Sequence, residues 1–542
     1  MTLRRRTLLS SALAGAGALA GCPRSRADAP RFAFVGPDPT RGHRVRAHAE
    51  RLGAAQLQRR ARVVIVGAGV AGLSAAWRLR QLGIDDVVVL ELEDDLGGTA
   101  RGGSLPRSRY PMGAHYLPVP RAGFDALEGL LADLDLVVGR DAAGRPEYDP
   151  TAIVRAPVER HRLRGLWHPG LYPEAEQNDD ERAELERFGA LLRALDRPGR
   201  DGRRRFDLPL ARCSDDERGL DAITMATWLD RQGLDGWRVR WLCDYGSRDD
   251  FGCTLDQVSA FAGLHHFLAR GLEQEHDRLL LSWPQGNAGL LERLAARIDL
   301  GERLRLQTAV LRIEPDQGRV TAVELADDRV VAWEADAILW AAPRFVLPHV
   351  LPAGRDPMPA GARTYAPWLV ASLELTVRPK GVGAPLSWDN VAIDAPHLGY
   401  VVANHLESLG DRKRAGAVIT FYEPRCADDP AGLARERQWL LDASADELGA
   451  HVLAAIDGMH PGLHPYVTAI DLVRWGHGMV RPIPGALFGP AAAAAAAVIG
   501  RVYPCAADCA GLPLFEQAFA NGVGAAEHAA ADLGVHVAGI LG

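Results

Sequence analysis

The chain has 542 residues, 47% of them apolar, and a formal net charge of −7. This length suits two or three domains with well-formed cores, and the negative charge argues against a nucleic acid as a partner. No CxxC pair or zinc-ligand spacing occurs among the cysteines. The sequence therefore predicts no metal site.

The N-terminal segment, 1–22, has the pattern of a targeting segment. Three arginines at 4–6 precede a short apolar stretch of small residues that ends at Cys22, too short to span a bilayer as a mature helix. Arg5 and Arg6 resemble the pair of a twin-arginine export signal, and residues 19–22 resemble a lipoprotein cleavage box. We expect export to the periplasm through an export machinery, with membrane anchoring through Cys22 left open; the alternative is a disordered basic N-terminus.

A strand, a tight turn and a helix follow the Pro-rich and Arg-rich stretch 23–60, which is typical of a linker, with or without a short helix at its end. Val63–Val66 is an apolar run, Ala71–Leu82 has helical periodicity, and Val87–Leu90 is a second strand. The glycines between them fit a dinucleotide site, in which a turn, a close approach to pyrophosphate and helix packing each require a glycine. The residues of this turn are Gly67, Ala68, Gly69, Ala71 and Gly72.

An acid follows at the distance that this fingerprint requires. Glu91 comes directly after the second strand, where its carboxylate can accept hydrogen bonds from a ribose diol. The phosphates would face the helix N-terminus, whose free N–H groups favour negative charge. This pattern alone does not separate NAD from FAD.

The continuation, ELEDDLGGTAR, separates the two cofactors. It resembles the second glycine pair of the FAD-dependent amine oxidase and phytoene desaturase superfamily, in which the pair and its arginine lie against the diphosphate and flavin. Gly113 and the residues after it match a superfamily position beside the isoalloxazine, and His115 is either a chemical participant or part of a packed loop. The resemblance assigns cofactor contacts to Glu91, Leu92, Gly97, Gly98, Thr99, Arg101, Gly113, Ala114 and His115.

The middle of the chain alternates between two predicted domains. The stretch 121–281 shows helical periodicity, which indicates a helical insertion of a substrate domain. Within it, Cys243–Gln257 concentrates aspartates and an arginine. This stretch is either a cation site or, more commonly for such a pattern, a capped loop with a solvated ion pair. The stretch 282–345 returns to the nucleotide domain with an amphipathic helix and alternating strands, and the resemblance places the adenine contact at Ala309 and Val310.

The stretch 346–473 is expected to form the sheet of the substrate domain. Trp368–Thr376 is a strand by content. Amine oxidases of the superfamily commonly carry a lysine in this strand, whereas the matching residues here are Ser372 or Leu373, and Lys380 follows too late. This departure weakens the amine oxidase assignment and leaves the FAD assignment unchanged.

The C-terminal part resembles the remaining flavin motifs. Asp471–Gly485 is similar to a tryptophan-and-proline segment beside the flavin, with Trp475 and His477 as candidates for catalysis. The same resemblance implies that the Asp508 carboxylate binds a ribityl hydroxyl of the flavin. It also places Phe515 and Gly522 on a helix under the pyrimidine ring, and the N-terminus of this helix would stabilise the negative charge of reduced flavin. Trp475–Gly485 contains no cysteine, so FAD is expected to bind noncovalently.

The predicted fold class is α/β: a Rossmann-like FAD-binding domain of the glutathione-reductase type, built from discontinuous segments, with an α+β substrate domain. The predicted segments are an export signal at 1–22, a linker at 23–60, FAD-binding parts at 61–120, 282–345 and 474–542, and substrate-domain parts at 121–281 and 346–473.

The predicted function is oxidation of an amine-containing small molecule by hydride transfer to flavin N5. Oxygen or another electron acceptor would then reoxidise the flavin. Three alternatives stay open: an FAD-dependent desaturase of an apolar, carotenoid-like substrate, an NAD-dependent dehydrogenase, and a non-catalytic exported flavin-binding protein.

Overall fold

A computed structural model describes residues 29–49, 55–270, 279–405 and 416–541. Its helices are α1 Pro39–Ala49, α2 Val70–Gln81, α3 Asp125–Asp133, α4 Asp179–Leu195, α5 Met225–Arg231, α6 Trp237–Phe251, α7 Ala260–Leu268, α8 Ala288–Ile298, α9 Leu347–Val350, α10 Pro430–Asp442, α11 Ala445–Met459, α12 Pro490–Ala496, α13 Ala507–Ala510 and α14 Phe515–Asp532. Short 3₁₀ turns connect several of them.

The strands in these residues are β1 Arg31–Phe34, β2 Leu57–Val66, β3 Val87–Leu90, β4 Gly102–Leu105, β5 Ser108–Pro111, β6 Leu117–Pro118, β7 Val137–Arg140, β8 Pro146–Tyr148, β9 Glu159–Leu163, β10 Leu166–Pro169, β11 Leu280–Leu281, β12 Leu304–Arg305, β13 Thr308–Glu314, β14 Arg319–Glu324, β15 Arg329–Trp340, β16 Tyr365–Leu375, β17 Asp389–Ala392, β18 Gly399–Val402, β19 Ala417–Pro424, β20 Val467–Val480 and β21 Val502–Pro504.

The nucleotide sheet has seven strands, in the order β12-β3-β2-β15-β14-β13, with β21 also paired to β15. The strands β12, β3, β2, β15 and β21 are parallel, whereas β14 and β13 are antiparallel. Val63–Val66 is buried because α2 and α14 cover one face and a second apolar cluster covers the other. The predicted Rossmann-like α/β fold is confirmed.

The substrate sheet has eight strands, in the order β1-β20-β16-β19-β18-β17-β9-β10. Every residue of its central strand β16 is buried, since both faces are covered by apolar clusters. Helices α10 and α11 pack against this sheet, and its other face carries aromatic residues that include Trp388 and Tyr422. The candidate functional site described below lies on this second face.

Two stretches differ from the sequence-based expectations. The predicted linker, 23–60, contains β1, α1 and the start of β2, because β1 finds a pairing partner in β20, near the opposite end of the chain. The capped loop expected within Cys243–Gln257 is wrong for most of its length, since α6 continues to Phe251 and ends at Gly252 with a left-handed φ of 61°. Buried residues of α6 outweigh the low helix propensity of its glycine, serine and aspartates.

The part of the chain that the structure describes contains no helix long and apolar enough to cross a membrane. In the same part, no group of three or more His, Cys, Asp or Glu side chains is arranged to hold a metal ion. The six cysteines described are free thiols, and Cys505 and Cys509 are buried.

Candidate functional site

The first glycine turn has the geometry of a phosphate-binding turn. Gly67 has a φ of 104°, which favours glycine, and Gly69 is the N-cap of α2. A Cβ at Gly72 would overlap the carbonyl oxygen of Gly67, so only glycine lets the helix approach the strand this closely. Free N–H groups at the start of α2 are suited to an anion.

Glu91 closes this turn from the adjacent strand. Its Oε2 accepts a hydrogen bond from the Ala68 N–H at 2.6 Å, and its Oε1 accepts one from the Glu93 N–H at 3.0 Å. Burial raises the pKa of Glu91 above its usual range, against the lowering effect of these two bonds. Each carboxylate oxygen keeps a second lone pair, so Glu91 can still accept from a ribose hydroxyl.

The second glycine pair lies directly against the first turn. Gly97 and Gly98 both have left-handed backbones, with φ of 117° and 56°, and the Gly97 N–H donates to the Ala68 carbonyl at 2.9 Å. A Cβ at Gly98 would be 3.4 Å from the Gly69 Cα. The two predicted motifs therefore form one glycine-lined cradle.

Arg101 is the feature of this cradle that most directly indicates a ligand. The side chain is 7% exposed, and its Nη2 donates to Asp94 at 2.8 Å. Its Nε and Nη1 are buried and have no hydrogen-bond partner among the described residues. Because buried donors without acceptors are costly, these two groups are placed to donate to an anionic ligand such as a diphosphate.

Asp508 provides a matching unsatisfied acceptor. Its Oδ2 accepts from the Arg344 N–H at 2.7 Å and from the Tyr365 hydroxyl at 2.8 Å, whereas its buried Oδ1 has no partner in the described chain. Burial raises the pKa of Asp508 above its usual range. A ribityl hydroxyl would satisfy Oδ1.

The C-terminal helix packs on the first helix of the nucleotide domain. A Cβ at Gly522 would overlap the carbonyl oxygen of Ala71, so this glycine allows α14 to approach α2 closely. Phe515, at the start of α14, is 9% exposed and belongs to the core. Residues from opposite ends of the sequence thus meet around one site.

The other predicted cofactor contacts lie near this cradle or in the sheet below it. The Thr99 carbonyl accepts from the Ala114 N–H at 2.9 Å, which joins the second glycine pair to the segment at Gly113. Leu92 and Val310 pack in the apolar cluster of the nucleotide sheet, and Ala309 is buried beside Val310. Their contact with FAD stays a prediction.

The segment after Gly113 leads into a group of aromatic rings, which we call the aromatic cluster: His115, Tyr116, Trp388 and Tyr422. The ring centroid of His115 lies 4.8 Å from that of Tyr422, 4.9 Å from Tyr116 and 5.5 Å from Trp388. The Tyr422 hydroxyl donates to the Gly113 carbonyl at 3.0 Å. Burial lowers the pKa of His115 to about 4, so this ring is neutral near pH 7.

The two other candidates for catalysis lie on β20. The Trp475 Nε1 donates to the Met112 carbonyl at 2.7 Å, next to Gly113. The His477 ring stacks on Phe345 at 4.2 Å and contacts Tyr365 edge-on at 5.8 Å. Trp475 therefore supports the segment that enters the aromatic cluster, while His477 lies near the Asp508 end of the site.

Strand β16, in which the sequence resemblance leads us to expect a lysine, contains none. Ser372 and Leu373 are buried in β16, where the Ser372 hydroxyl lies 3.0 Å from that of Thr420. Lys380 comes after the end of β16, and its carbonyl contacts the His460 ring at 2.8 Å. This agrees with the departure seen in the sequence.

Three functional features were missed from the sequence. Arg344 and Tyr365 hold Asp508, and Asp389 lies beside the aromatic cluster, where its charge acts on Tyr422. The only local signal was the position of two of them, since Arg344 directly follows the AAP that comes after β15 and Asp389 directly follows Trp388.

The fold and the cradle together define a two-domain dinucleotide-binding oxidoreductase. Residues 70–530 match the sequence family described as flavin containing amine oxidoreductase. The chain belongs to this family, and its cofactor is FAD. The unsatisfied buried atoms of Arg101 and Asp508 and the close approach of the two glycine turns fit such a cofactor.

Solved structures share this fold at low sequence identity. A putrescine oxidase matches with a TM-score of 0.63 and 16% identity over 88% of this chain and 100% of its own. Cyclohexylamine oxidase from Brevibacterium oxydans matches with a TM-score of 0.59 and 18% identity over 88% of this chain and 99% of its own. These two similarities establish the fold alone.

Curated relatives match over short stretches. Polyamine oxidase 6 from Oryza sativa is 41% identical over 58 residues, 11% of this chain and 12% of the relative. A Baeyer-Villiger monooxygenase from Streptomyces coelicolor is 49% identical over 51 residues, 9% of this chain and 10% of the relative. The chain thus matches only about a tenth of the length of these relatives, so their activities are not transferred to it.

Proposed function

We propose that this protein oxidises a cationic amine at the aromatic cluster, with FAD as the hydride acceptor. Family membership supports oxidation by flavin. The choice of an amine rests on one observation, a group of carboxylates beside the aromatic cluster. This acidic group consists of Glu159, Asp249 and Asp389.

The acidic group is assembled from three separate parts of the chain. Asp389 and Glu159 are register partners on the parallel strands β17 and β9, and Asp249 comes from α6. All three side chains keep some accessible surface. Burial raises the pKa of Asp389 well above its usual range, and the charges of Glu159 and Asp249 raise it further.

The same charges act on the aromatic cluster. Burial raises the pKa of Tyr422, followed by the charges of Asp249 and Asp389. Clustered carboxylates in such a place repel one another and are stabilised by a cation, which His266 and Arg270 supply in part at Asp249. Tyrosine and tryptophan faces also attract cations, and more strongly where water is excluded. An alkylammonium group therefore fits both the charge and the rings.

An apolar, carotenoid-like substrate is less well supported. It would remove water from the acidic group without supplying a hydrogen-bond donor or a charge, which is unfavourable for ionised carboxylates. An NAD-dependent dehydrogenase is also less well supported, because it has no use for the unsatisfied acceptor at Asp508.

When bound, FAD supplies a two-electron acceptor for the hydride that leaves the carbon next to the amine nitrogen. The carboxylates attract the substrate and orient its nitrogen, and the rings exclude water. A bound alkylammonium favours the ionised form of Asp389. The raised pKa of this carboxyl group then suits it to take the proton that the amine must lose before it can donate a hydride. Oxygen or another electron acceptor would be the second substrate.

The proposal is tested by anaerobic titration of the purified full-length protein with amines, polyamines and amino acids. We expect one class of amine to bleach the visible absorption band of oxidised flavin. Bleaching by no amine would contradict the proposal and favour either a desaturase or a non-catalytic flavin-binding protein. A protein that carries no flavin would contradict the FAD assignment itself.

A matched pair of variants tests the acidic group. Asp389→Asn should raise the KM for the amine by roughly tenfold, since a hydrogen bond to a charged group contributes about 1.5–3 kcal/mol. Asp256→Asn is the control, because it makes the same chemical change at an exposed residue. Equal KM values for the two variants would contradict a role for Asp389 in substrate binding.

We also propose that the protein is exported. Support comes from the resemblance of residues 1–22 to a twin-arginine signal with a lipoprotein box, and these residues lie outside the described part of the chain. Fractionation of cells that produce the full chain should recover it from the periplasm or, if Cys22 is lipidated, from the membrane. Replacing Arg5 and Arg6 with lysine should retain it in the cytoplasm, and unchanged export would contradict the proposal.

A further inference from the structure

The N-terminal bridge, residues 31–41, connects the two domains beside the cofactor cradle. Its strand β1 pairs in parallel with β20 at the edge of the substrate sheet, and the Val35 N–H extends this pairing to the Leu472 carbonyl at 3.0 Å. A Cβ at Gly36 would be 3.3 Å from the Met112 sulfur, so the bridge passes close to the segment that enters the aromatic cluster.

The far end of the bridge reaches the acidic loop after Glu91. The Arg41 Nη1 donates to Glu93 at 2.6 Å, and its Nη2 donates to Asp94 at 3.1 Å. The second oxygen of Asp94 accepts from Arg101 at 2.8 Å. Arg41 and Arg101 thus hold the same carboxylate from opposite sides.

This arrangement has strong electrostatic consequences for the loop. The hydrogen bond from Arg41 outweighs burial and, together with that from Arg101, lowers the pKa of Asp94 to about 2. The side chains of Arg41 and Glu93 are only 19% and 14% exposed, so solvent screens their interaction less than it screens a surface pair, whereas the side chain of Asp94 is 46% exposed and its ion pairs are screened more.

Charge balance explains why the second arginine matters to the cofactor. Glu93 and Asp94 bring two negative charges close to Arg101, whose Nε and Nη1 are the unsatisfied donors of the cradle. Without Arg41, two carboxylates would compete with the anionic ligand for one guanidinium. Arg41 offsets one of these two negative charges, so Arg101 stays oriented by Asp94 with Nε and Nη1 available to the ligand.

We propose that Arg41 is a positioning residue for FAD, which orients Arg101 toward the diphosphate by holding Asp94 and neutralising Glu93. The N-terminal bridge brings Arg41 to this place by pairing β1 with the substrate sheet, so FAD affinity depends on a segment outside the nucleotide-binding fold. This role goes beyond amine oxidation and does not depend on which substrate is oxidised.

The test compares FAD binding by full-length variants after removal of the bound flavin. Arg41→Gln removes the charge, Arg41→Lys keeps it, and Arg44→Gln is the control, since Arg44 lies exposed on the same helix. The dissociation constant is measured by quenching of FAD fluorescence, and melting temperatures are measured with and without FAD.

We expect Arg41→Gln to raise the dissociation constant of FAD by roughly tenfold, the change for one lost charge-assisted hydrogen bond. Arg41→Lys should give a value closer to wild type, and Arg44→Gln should match wild type. The flavin-free melting temperature of Arg41→Gln should fall modestly, because its partly buried ion pair with Glu93 is lost. The increase on adding FAD should also be smaller for Arg41→Gln than for Arg44→Gln.

Two results would overturn the proposal. One is an Arg41→Gln dissociation constant equal to that of Arg44→Gln. The other is a flavin-free melting temperature that falls as much as the FAD-bound one, because that would mean Arg41 only stabilises the fold. Loss of amine oxidation with normal FAD binding would instead concern the proposed function, so the two failures are distinguishable.

Discussion

The cofactor cradle and the aromatic cluster are assembled from the sequence in different ways. Most of the cradle lies in one stretch, Gly67–Arg101, where Gly67 and Gly72 permit specific close approaches. The aromatic cluster with its acidic group draws one or two residues from each of five segments: β9, α6, the segment at His115, the start of β17, and β19. A cofactor shared by a family is held by local backbone geometry, whereas a substrate site depends on side chains that only tertiary packing brings together.

This comparison predicts the largest effect at Asp508, where the cradle depends on a distant residue. Asp508→Leu would leave two buried donors, the Arg344 N–H and the Tyr365 hydroxyl, without an acceptor. Each costs about 1–3 kcal/mol. These unpaired donors should lower the stability of the fold. Loss of the Oδ1 acceptor should lower FAD affinity by roughly 10- to 100-fold, measured as flavin content after gel filtration and by fluorescence titration.

Tyr365→Phe is the control for that variant. It removes one donor and keeps the carboxylate, so its loss of FAD should be clearly smaller. A wild-type flavin content in Asp508→Leu would contradict a role for Asp508 in the cradle.

A smaller effect is expected where the two halves of the cradle pack together. Gly522→Ala would press its Cβ into the Ala71 carbonyl and should lower the free energy of unfolding by about 1–3 kcal/mol. Gly524→Ala on the same helix meets only Leu541, at 3.5 Å, and should raise the stability by up to about 1 kcal/mol. Denaturant unfolding of both variants measures the difference. If both substitutions changed the free energy of unfolding in the same direction, the packing role of Gly522 would be contradicted.

In the substrate region, Asp249→Asn should have opposite effects on function and stability. Burial, followed by the charge of Asp250, raises the pKa of Asp249 above the ordinary 3.8. The folded state therefore binds the proton more tightly than the unfolded state, and ionisation of Asp249 costs stability as the pH rises from 3.8 toward the raised pKa. At pH values above this range, the melting temperature of Asp249→Asn should be higher than that of wild type. At pH values below the range, the two melting temperatures should be equal.

The same variant should raise the KM for a cationic amine by roughly tenfold. Melting curves at several pH values and steady-state kinetics check the two effects. A variant that melts lower than wild type at neutral pH would show that the Asp249 charge stabilises the fold without substrate.

The smallest effect is expected at His115. Because the ring is neutral near pH 7, His115→Phe keeps its stacking and removes no charge, so kcat should change by less than about threefold, the scale of a stacking contact worth ~0.5 kcal/mol. The apparent pKa values of the kcat/KM profile should be the same as in wild type. A loss of one limb of that pH profile would show that His115 transfers a proton.

Local sequence was sufficient to predict much of the nucleotide domain. The strands β2 and β3 with α2 between them, the amphipathic helix α8 and the hairpin of β13 and β14 are all confirmed, because hydrophobic periodicity and glycine turns are local signals. The C-terminal helix predicted from Phe515 is likewise confirmed.

Other parts could not be predicted because their signals are not local. The strand β1 resembled a linker, since its short sequence does not reveal a partner at 469–472. The helix α6 resembled a loop, because its aspartates and glycine obscured a buried apolar face. The pairing of Glu159 with Asp389 requires two strands from distant parts of the sequence to lie side by side.

By itself, the sequence determined the dinucleotide turn, its acid and the second glycine pair, since backbone conformation at a glycine is set by its immediate neighbours in the chain. Only the tertiary structure decided which charges surround that turn and which carboxylates face the aromatic rings. The physical reason is range: a turn depends on neighbours along the chain, whereas burial and electrostatic interactions depend on neighbours in space, including Arg41 at one end of the sequence and Asp508 at the other.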